Sequence, residues 1–289
     1  MLDAVLMVSV FVPIAIAVVC NAAGKLLDRH VAKVVSPVAY AWLTQIIAIL
    51  IWLPIALSKW SLPTQREAWF IFTGAAILWT IISVMVYVTI KRTEVSLREP
   101  VSQSKIIWAL LLGLLFLGEQ VSGLKLFGTI VVFLGLCIAL IHPERRWGHL
   151  TEPGVLLTGI FALLGAITAV VDKSALHYFT PEVYGLLVYA VPGIVLTIAM
   201  AKRVPELKQL YQLRLKTALV AIILSTTSYF FTLKAYSLAD LTLVYPLLQL
   251  ATILAVIGAM IFLKEREHRF QRIIAIVVVI AGATLVKIG

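Results

Sequence analysis

The side chains best suited to chemistry in this sequence are charged and polar residues inside long apolar stretches. Lys105 is the clearest of them, fourteen residues before Glu119 in a stretch that is otherwise almost wholly apolar. At about 1.5 Å per helical residue, this spacing places the lysine roughly 21 Å from the glutamate. Arg98 and Lys105 share one helix face, and Glu99 and Gln103 form the adjoining stripe.

Two kinds of chemistry fit this group. Lys105 and Arg98 can attract an anionic group of a substrate, or Glu99 can take up a coupling proton. The structural alternative is an internal charge pair that orders the helix against its neighbours. Because an ionisable group inside a membrane is costly and usually faces protein or water, we expect Lys105, Glu99, Arg98 and Gln103 to line a binding site.

Further polar side chains recur at helical spacing in other apolar stretches. Tyr245 and Gln249 stand in the second half of the chain where the first half has Glu99 and Gln103. Hydroxyls and amides also hold membrane helices together, but stripes on four stretches favour a hydrated cavity with aromatic walls. The residues added to the predicted substrate site on this ground are Tyr245, Gln249, Tyr229, Tyr87 and Trp79.

Other charged residues are expected at helix ends. Lys25 and Lys173 close the first apolar stretch of each half, where a base complements the helix dipole, with gating or substrate attraction as the alternative. Asp172 is expected to pair with the adjacent Lys173. Glu119 and Glu265 are expected to cap helices or pair with nearby bases. The tryptophans other than Trp79 are expected at the membrane interface or facing lipid.

The composition excludes a water-soluble protein. The 289 residues are 62% hydrophobic and 13% charged, with a mean hydropathy of +1.04. Soluble domains have about 45 to 50% apolar and about 25% charged residues. The net charge of +10 is carried by bases between apolar stretches, which indicates contact with lipid head groups and no nucleic-acid partner.

We predict no catalytic residues, no metal and no cofactor. The five histidines fall in connections, away from metal-ligand spacing, and no phosphate-binding glycine loop with a Walker lysine is present in the sequence. The protein is therefore not expected to be an enzyme or an intrinsic ATP-driven pump. Any transport must run on an ion gradient such as a coupling proton, on an exchange substrate, or downhill.

Ten apolar stretches are long enough to be transmembrane helices. They cover residues 4–24, 37–57, 68–90, 101–117, 123–141, 154–171, 183–201, 217–233, 241–263 and 273–288. The predicted fold class is therefore an all-α integral membrane protein with ten transmembrane helices.

The two halves of the chain carry the same residues at the same spacings, which indicates an internal repeat. The matched positions are Pro37 with Pro181, Tyr40 with Tyr184, Pro100 with Pro246, Gln103 with Gln249 and Glu119 with Glu265. A repeat of five helices must enter the membrane from opposite sides in its two copies, so the repeats are inverted. We include Tyr40 and Tyr184 in the predicted substrate site.

At this point the sequence resembles the drug/metabolite transporter superfamily, specifically its EamA-type ten-helix members. The resemblance is carried by residues 114–135 and 246–282. The residues of the first stretch that carry it are Gly118, Glu119, Gly128 and Gly135. It departs from the pattern at Lys264, where a glycine would precede Glu265, and at Ile274, which stands where the first half has Gly128.

The resemblance implies a first EamA-like repeat over residues 1–141, a connecting loop over 142–153 and a second repeat over 154–289. It also implies a central cavity lined by the first four helices of each half, with the fifth helices outside at a homodimer contact. Lysines and arginines concentrate in the odd-numbered connections, which places both termini on the non-cytoplasmic side. The resemblance implies the opposite orientation.

Three functions fit these observations. The favoured one is a secondary transporter of the inner or plasma membrane that exports a small polar or amphipathic metabolite by alternating access. The second is a flippase for a lipid-linked or phosphate-bearing amphipath, which would need a cavity open towards the lipid. The third is a membrane scaffold without transport, whose polar stripes would pack tightly against other helices.

Overall fold

The computed structural model describes residues 2–93, 95–140, 152–262 and 269–289. The predicted Glu265 and nearly all of the predicted connecting loop lie outside these residues. Within them the chain folds into twelve helices. These are α1 (Leu2–Ala32), α2 (Pro37–Leu57), α3 (Arg66–Arg92), α4 (Val95–Ser102), α5 (Lys105–Phe116), α6 (Gly123–Leu140), α7 (Pro153–Ala175), α8 (Pro181–Met200), α9 (Val204–Leu238), α10 (Leu241–Leu248), α11 (Leu250–Phe262) and α12 (Arg269–Ile288).

Two of the ten predicted membrane helices are broken inside the bundle. The fourth helix begins at Val95, earlier than the predicted stretch of residues 101–117, and is divided into α4 and α5 at Gln103. The ninth stretch forms α10 and α11, separated at Gln249. Each break comes three residues after a proline. The backbone N–H of Gln103 donates to the Pro100 carbonyl O at 3.1 Å, and that of Gln249 to the Pro246 carbonyl O at 3.2 Å. These are i to i−3 bonds, tighter than those of an α-helix.

The broken pair α4 and α5 also explains the count of spans. In the described part of the chain, nine helical segments are long and apolar enough to cross a membrane, one of them formed by α10 and α11 together. The predicted fourth helix is the tenth, because the break leaves α5 with 12 residues, too few to span alone. The all-α membrane fold is therefore confirmed.

Helix packing follows the two-fold symmetry expected of the two repeats. α1 packs against α9 as α7 packs against α3, and α11 packs against α1 as α5 packs against α7. Two symmetric pairs meet across the axis, namely α2 with α8 and α6 with α12, whereas α5 packs against α10 more closely than their counterparts α11 and α4 pack against each other. The five-helix repeats are related in this way as an inverted pair.

Each end of the bundle is named after a glycine whose carbonyl O accepts a hydrogen bond there. At one end, called the Gly289 end, Ser122 Oγ donates to the carbonyl O of Gly289 at 3.0 Å. At the other, called the Gly154 end, Thr93 Oγ1 donates to the carbonyl O of Gly154 at 2.8 Å. α4 and α10 have 8 residues each and begin at opposite ends. Their breaks therefore lie roughly 12 Å inside the bundle from opposite sides.

Glycines bring α6 and α12 into backbone contact. A Cβ atom on Gly282 would lie 2.7 Å from the backbone N of Val132, and one on Gly128 would lie 2.7 Å from the backbone N of Val286. Such close approach is typical of small residues between membrane helices. Ile274, which replaces a glycine in the repeat, is 41% exposed, so the close contact on α12 is made by Gly282 instead.

We expect the Gly282→Ala substitution to lower the free energy of unfolding by about 1 to 3 kcal/mol, because the new methyl group meets backbone atoms that cannot rotate away. The matched control is Gly159→Ala on α7, where a Cβ atom would meet nothing within 4 Å. Thermal melting of the two variants in detergent measures the difference. Equal melting temperatures would show that α6 and α12 do not approach as described.

Candidate functional site

A buried carboxylate near the Gly289 end gathers side chains from four helices. Asp172 on α7 is 2% exposed. Its Oδ1 accepts hydrogen bonds from Tyr184 Oη at 2.6 Å and Trp79 Nε1 at 3.0 Å, and its Oδ2 accepts one from Tyr229 Oη at 3.1 Å. Three donors compensate the burial of this carboxylate. The cluster ties α7 to α3, α8 and α9.

A second carboxylate near the Gly154 end has a related environment. Asp28 on α1 accepts a hydrogen bond from Tyr40 Oη at 2.5 Å, and the side chain of Ser225 also hydrogen-bonds to it. The Tyr40 ring centroid lies 4.5 Å from that of Tyr87, whose hydroxyl is 3.1 Å from Thr44 Oγ1. This cluster ties α1 to α2, α3 and α9.

The two carboxylate clusters are copies of one arrangement. Asp28 precedes Tyr40 by twelve residues, and Asp172 precedes Tyr184 by the same distance. The register set by the two helix-breaking prolines also makes Trp79 and Ser225 equivalent. Each aspartate is therefore bound by the tyrosine of its own half and by the third helix of the other half. Sequence reasoning missed Asp28, although its spacing to Tyr40 carried the signal.

Lys173 does not form the pair with Asp172 that we expected. Its ammonium donates to the carbonyl O atoms of Tyr236 at 2.5 Å and Ala239 at 2.9 Å, at the end of α9. A base in this place satisfies carbonyls that the helix leaves open and complements the helix dipole. The contacts of Lys173 thus agree with the helix-end interpretation. When the two halves are aligned on Tyr40 and Tyr184, the residue equivalent to Lys173 is Arg29, not Lys25.

The first helix break is surrounded by charged and amide groups. Arg98 Nη1 lies 2.6 Å from Glu99 Oε1, and Arg98 Nε donates to Thr89 Oγ1 at 3.2 Å. The amide of Gln103 donates to the carbonyl O of Glu99 at 3.4 Å, whereas Gln103 Oε1 is buried without a partner among the described residues. Arg98 and Glu99 on α4 and Gln103 just after it therefore lie together around the first break.

Lysines connect the two breaks. Lys105 is the first residue of α5, and its charge interacts with those of Lys25, Arg98 and Glu99. Lys25 on α1 donates to Thr252 Oγ1 at 3.0 Å, three residues beyond the break at Gln249. A chain of polar groups therefore runs through the middle of the bundle from one repeat to the other.

The predicted site residues fall into three groups. The central group at the two breaks holds Lys105, Arg98, Glu99, Gln103 and Gln249. The group at the Gly154 end holds Tyr40 and Tyr87, and that at the Gly289 end holds Trp79, Tyr184 and Tyr229. Tyr245 on α10 is 7% exposed and acts electrostatically on Asp172, so it joins the last group. The roles of these residues in binding stay predictions.

One large aromatic residue, Trp52, was not expected in the core. Trp52 was predicted at the interface or facing lipid, but it is 1% exposed and its ring centroid lies 6.2 Å from those of Tyr189 and Tyr229. It packs flat against the backbone of Gly185, where a Cβ atom would lie 2.0 Å from Trp52 Cζ3. A glycine facing it across the bundle is what lets this large side chain enter the core.

These features define a class of protein: a multi-pass membrane protein of inverted five-helix repeats, with broken helices meeting at its centre. Comparison with known families adds the particular one. Residues 9–141 and 152–288 each match the EamA-like transporter family, so the chain belongs to that family. Its function is membrane transport.

Solved structures agree with the fold. Twenty-eight chains match. One of them, titled only "Crystal structure of protein", superposes with a TM-score of 0.77 over 96% of both chains at 14% sequence identity. At that identity the likeness concerns the fold alone. Among curated proteins, no sequence matches this chain.

Proposed function

We propose that this protein is a secondary transporter that exports a small polar or amphipathic metabolite by alternating access. The observation that carries the proposal is the symmetric pair of helix breaks at Gln103 and Gln249. Transporters with broken membrane helices place the substrate beside the breaks, near the middle of the membrane. The substrate would lie between the two breaks, in contact with Lys105, Arg98 and Glu99.

The carboxylate clusters at opposite ends supply the closures that alternating access needs. Asp28 with Ser225 closes the Gly154 end, and Asp172 with Trp79 closes the Gly289 end. Each closure joins the two halves, because Ser225 reaches Asp28 from the second half and Trp79 reaches Asp172 from the first. Rocking residues 1–141 against residues 154–289 would open one closure while the other holds.

The remaining parts of the proposal concern coupling and assembly. A coupling proton or an exchanged solute supplies the driving force, and the protein works in the inner or plasma membrane. α6 and α12, the fifth helices of the two repeats, pack against each other, and their outward faces would carry a homodimer contact. Leu134 and Val277 are 51% and 62% exposed on those faces.

A binding screen followed by transport assays tests the proposed site. Purified protein is screened by thermal shift against amino acids, phosphorylated metabolites, cationic drugs and lipid-linked phosphates, and compounds that bind are then followed in proteoliposomes. We expect Gln103→Ala and Gln249→Ala each to weaken binding about ten-fold, since a lost hydrogen bond is worth roughly 0.5 to 1.5 kcal/mol. Gln212→Ala, at an exposed position of α9, is the matched control.

Three outcomes contradict parts of this proposal. Equal binding by all three glutamine variants would show that the substrate does not bind at the helix breaks. A response to lipid-linked phosphates alone would replace the exporter with a flippase. Ligand-independent stability, with no flux of any compound, would favour a membrane scaffold.

A further inference from the structure

The centre of the bundle carries more positive than negative charge. Lys25, Arg98 and Lys105 interact there with one another, and the carboxylate among them is Glu99. Glu99 is already engaged by Arg98 at 2.6 Å. The two lysines therefore share a weakly polar environment in which like charges repel far more strongly than in water.

Asp28 does not restore the balance. Its carboxylate accepts hydrogen bonds from Tyr40 and Ser225, and its charge interacts with that of Arg98. Lys25 instead donates to a neutral hydroxyl, that of Thr252, at 3.0 Å. Lys105 donates no hydrogen bond to any residue that the structure describes. An ammonium group in this situation calls for an anion.

The positive charge belongs to one repeat. In the register of the two halves, Lys105 corresponds to Ala251, Arg98 to Val244 and Lys25 to Ala169. The second half instead offers Gln249 and Tyr245 at its break. A ligand lying between the breaks would thus meet bases on one side and neutral polar or aromatic groups on the other.

We infer that the transported compound carries an anionic group, a carboxylate or a phosphate, which Lys25 and Lys105 bind between the two helix breaks. The rest of the compound faces α10 and α11 of the second half. This inference rests on the proposed function and names its substrate class. The same chemistry is offered by a soluble acid and by an anionic lipid head group, and the experiment separates them.

The test uses probes of known charge. Thermal shift and calorimetry are measured at constant ionic strength with inorganic phosphate, with succinate and with the neutral isostere succinamide. Short-chain phosphatidylglycerol and phosphatidylcholine form the lipid arm. The protein is compared with Lys25→Met, Lys105→Met and Lys105→Arg, and with Lys202→Met as the exposed control. Lys105→Arg keeps the charge, which separates loss of the anion site from loss of folding.

We expect at least one anionic probe to bind wild-type protein, and its Kd to rise ten-fold or more in Lys25→Met and Lys105→Met. Binding should persist in Lys105→Arg and Lys202→Met. A response to succinate or phosphate assigns a soluble substrate, and one to phosphatidylglycerol alone assigns a lipid. Equal binding of succinamide, undiminished anion binding by both methionine variants, or no response to any anionic probe overturns the inference.

Failure of this inference is distinguishable from failure of transport. If neutral or cationic compounds are transported and their flux is unchanged in Lys105→Met, the anion site is wrong but the protein is still a transporter. Anion binding at the lysines without flux of any compound would support the anion site and contradict transport.

Discussion

Replacing Glu119 by glutamine is expected to lower the melting temperature of the protein by roughly 5 to 10 °C, equivalent to about 2 to 4 kcal/mol. The carboxylate stands between the two repeats. Its Oε1 accepts a hydrogen bond from the backbone N–H of Leu241 at 2.6 Å, and its Oε2 accepts one from that of Thr242 at 2.8 Å. Glu119 therefore caps α10 from the other half of the chain.

The size of the effect follows from what glutamine cannot do. Its amide nitrogen is a donor, so one of the two N–H groups of α10 would lose its acceptor. Hydrogen bonds to charged groups contribute about 1.5 to 3 kcal/mol each, and a buried donor without a partner costs about as much. The negative charge that favours a helix N-terminus is lost as well.

Gly118 brings the carboxylate to this position. It has a φ of 64°, a conformation that glycine adopts readily, and it follows the last turn of α5. The matched control for Glu119→Gln is Glu67→Gln, an exposed glutamate in the first turn of α3 at the same end of the bundle. Thermal melting in detergent compares the two. Similar small shifts in both would mean that Glu119 does not cap α10.

The helices and the repeat could be predicted because their signals are local. Long apolar stretches reveal membrane helices directly, and prolines and glutamines at matched spacing reveal the two halves. The breaks at Gln103 and Gln249 were harder to foresee, since a proline in a membrane helix produces either a kink or a break. Which one forms depends on the groups that satisfy the freed backbone.

The partners of the polar residues could be predicted only in part. Glu119 was expected to cap or pair, but its actual partner lies 122 residues away in the other repeat. Trp52 was misplaced because its burial depends on a glycine of another helix. Asp28 was overlooked because it lies among bases near the end of its helix, and only comparison with Asp172 reveals its role. Contacts across the symmetry axis cannot be predicted from the sequence of either half alone.

The symmetry of the carboxylate clusters predicts opposite effects from equivalent substitutions. Ser225→Ala removes the hydrogen bond that reaches Asp28 from the second half, and Trp79→Phe removes the 3.0 Å hydrogen bond that reaches Asp172 from the first half. Hydrogen bonds to a carboxylate are worth about 1.5 to 3 kcal/mol, which corresponds to a shift of roughly 10- to 100-fold between two conformations. Ser225→Ala should favour opening at the Gly154 end, and Trp79→Phe opening at the Gly289 end.

A single cysteine at the centre reports these openings. Cys20 and Cys137 are free cysteines and are first replaced by alanine. Thr252→Cys then places a thiol beside Lys25, between the two closures. A charged, membrane-impermeant thiol reagent is applied from each side of oriented proteoliposomes. Tyr178→Phe, at an exposed position between α7 and α8, serves as the control.

The rate of labelling of this cysteine from each side tests alternating access most directly. The account predicts that Ser225→Ala speeds labelling from the Gly154 side and slows it from the Gly289 side, that Trp79→Phe does the reverse, and that Tyr178→Phe changes neither. Faster labelling from the same side in both variants, or no change in either, would contradict the assignment of the two carboxylate clusters as the closures of a transporter.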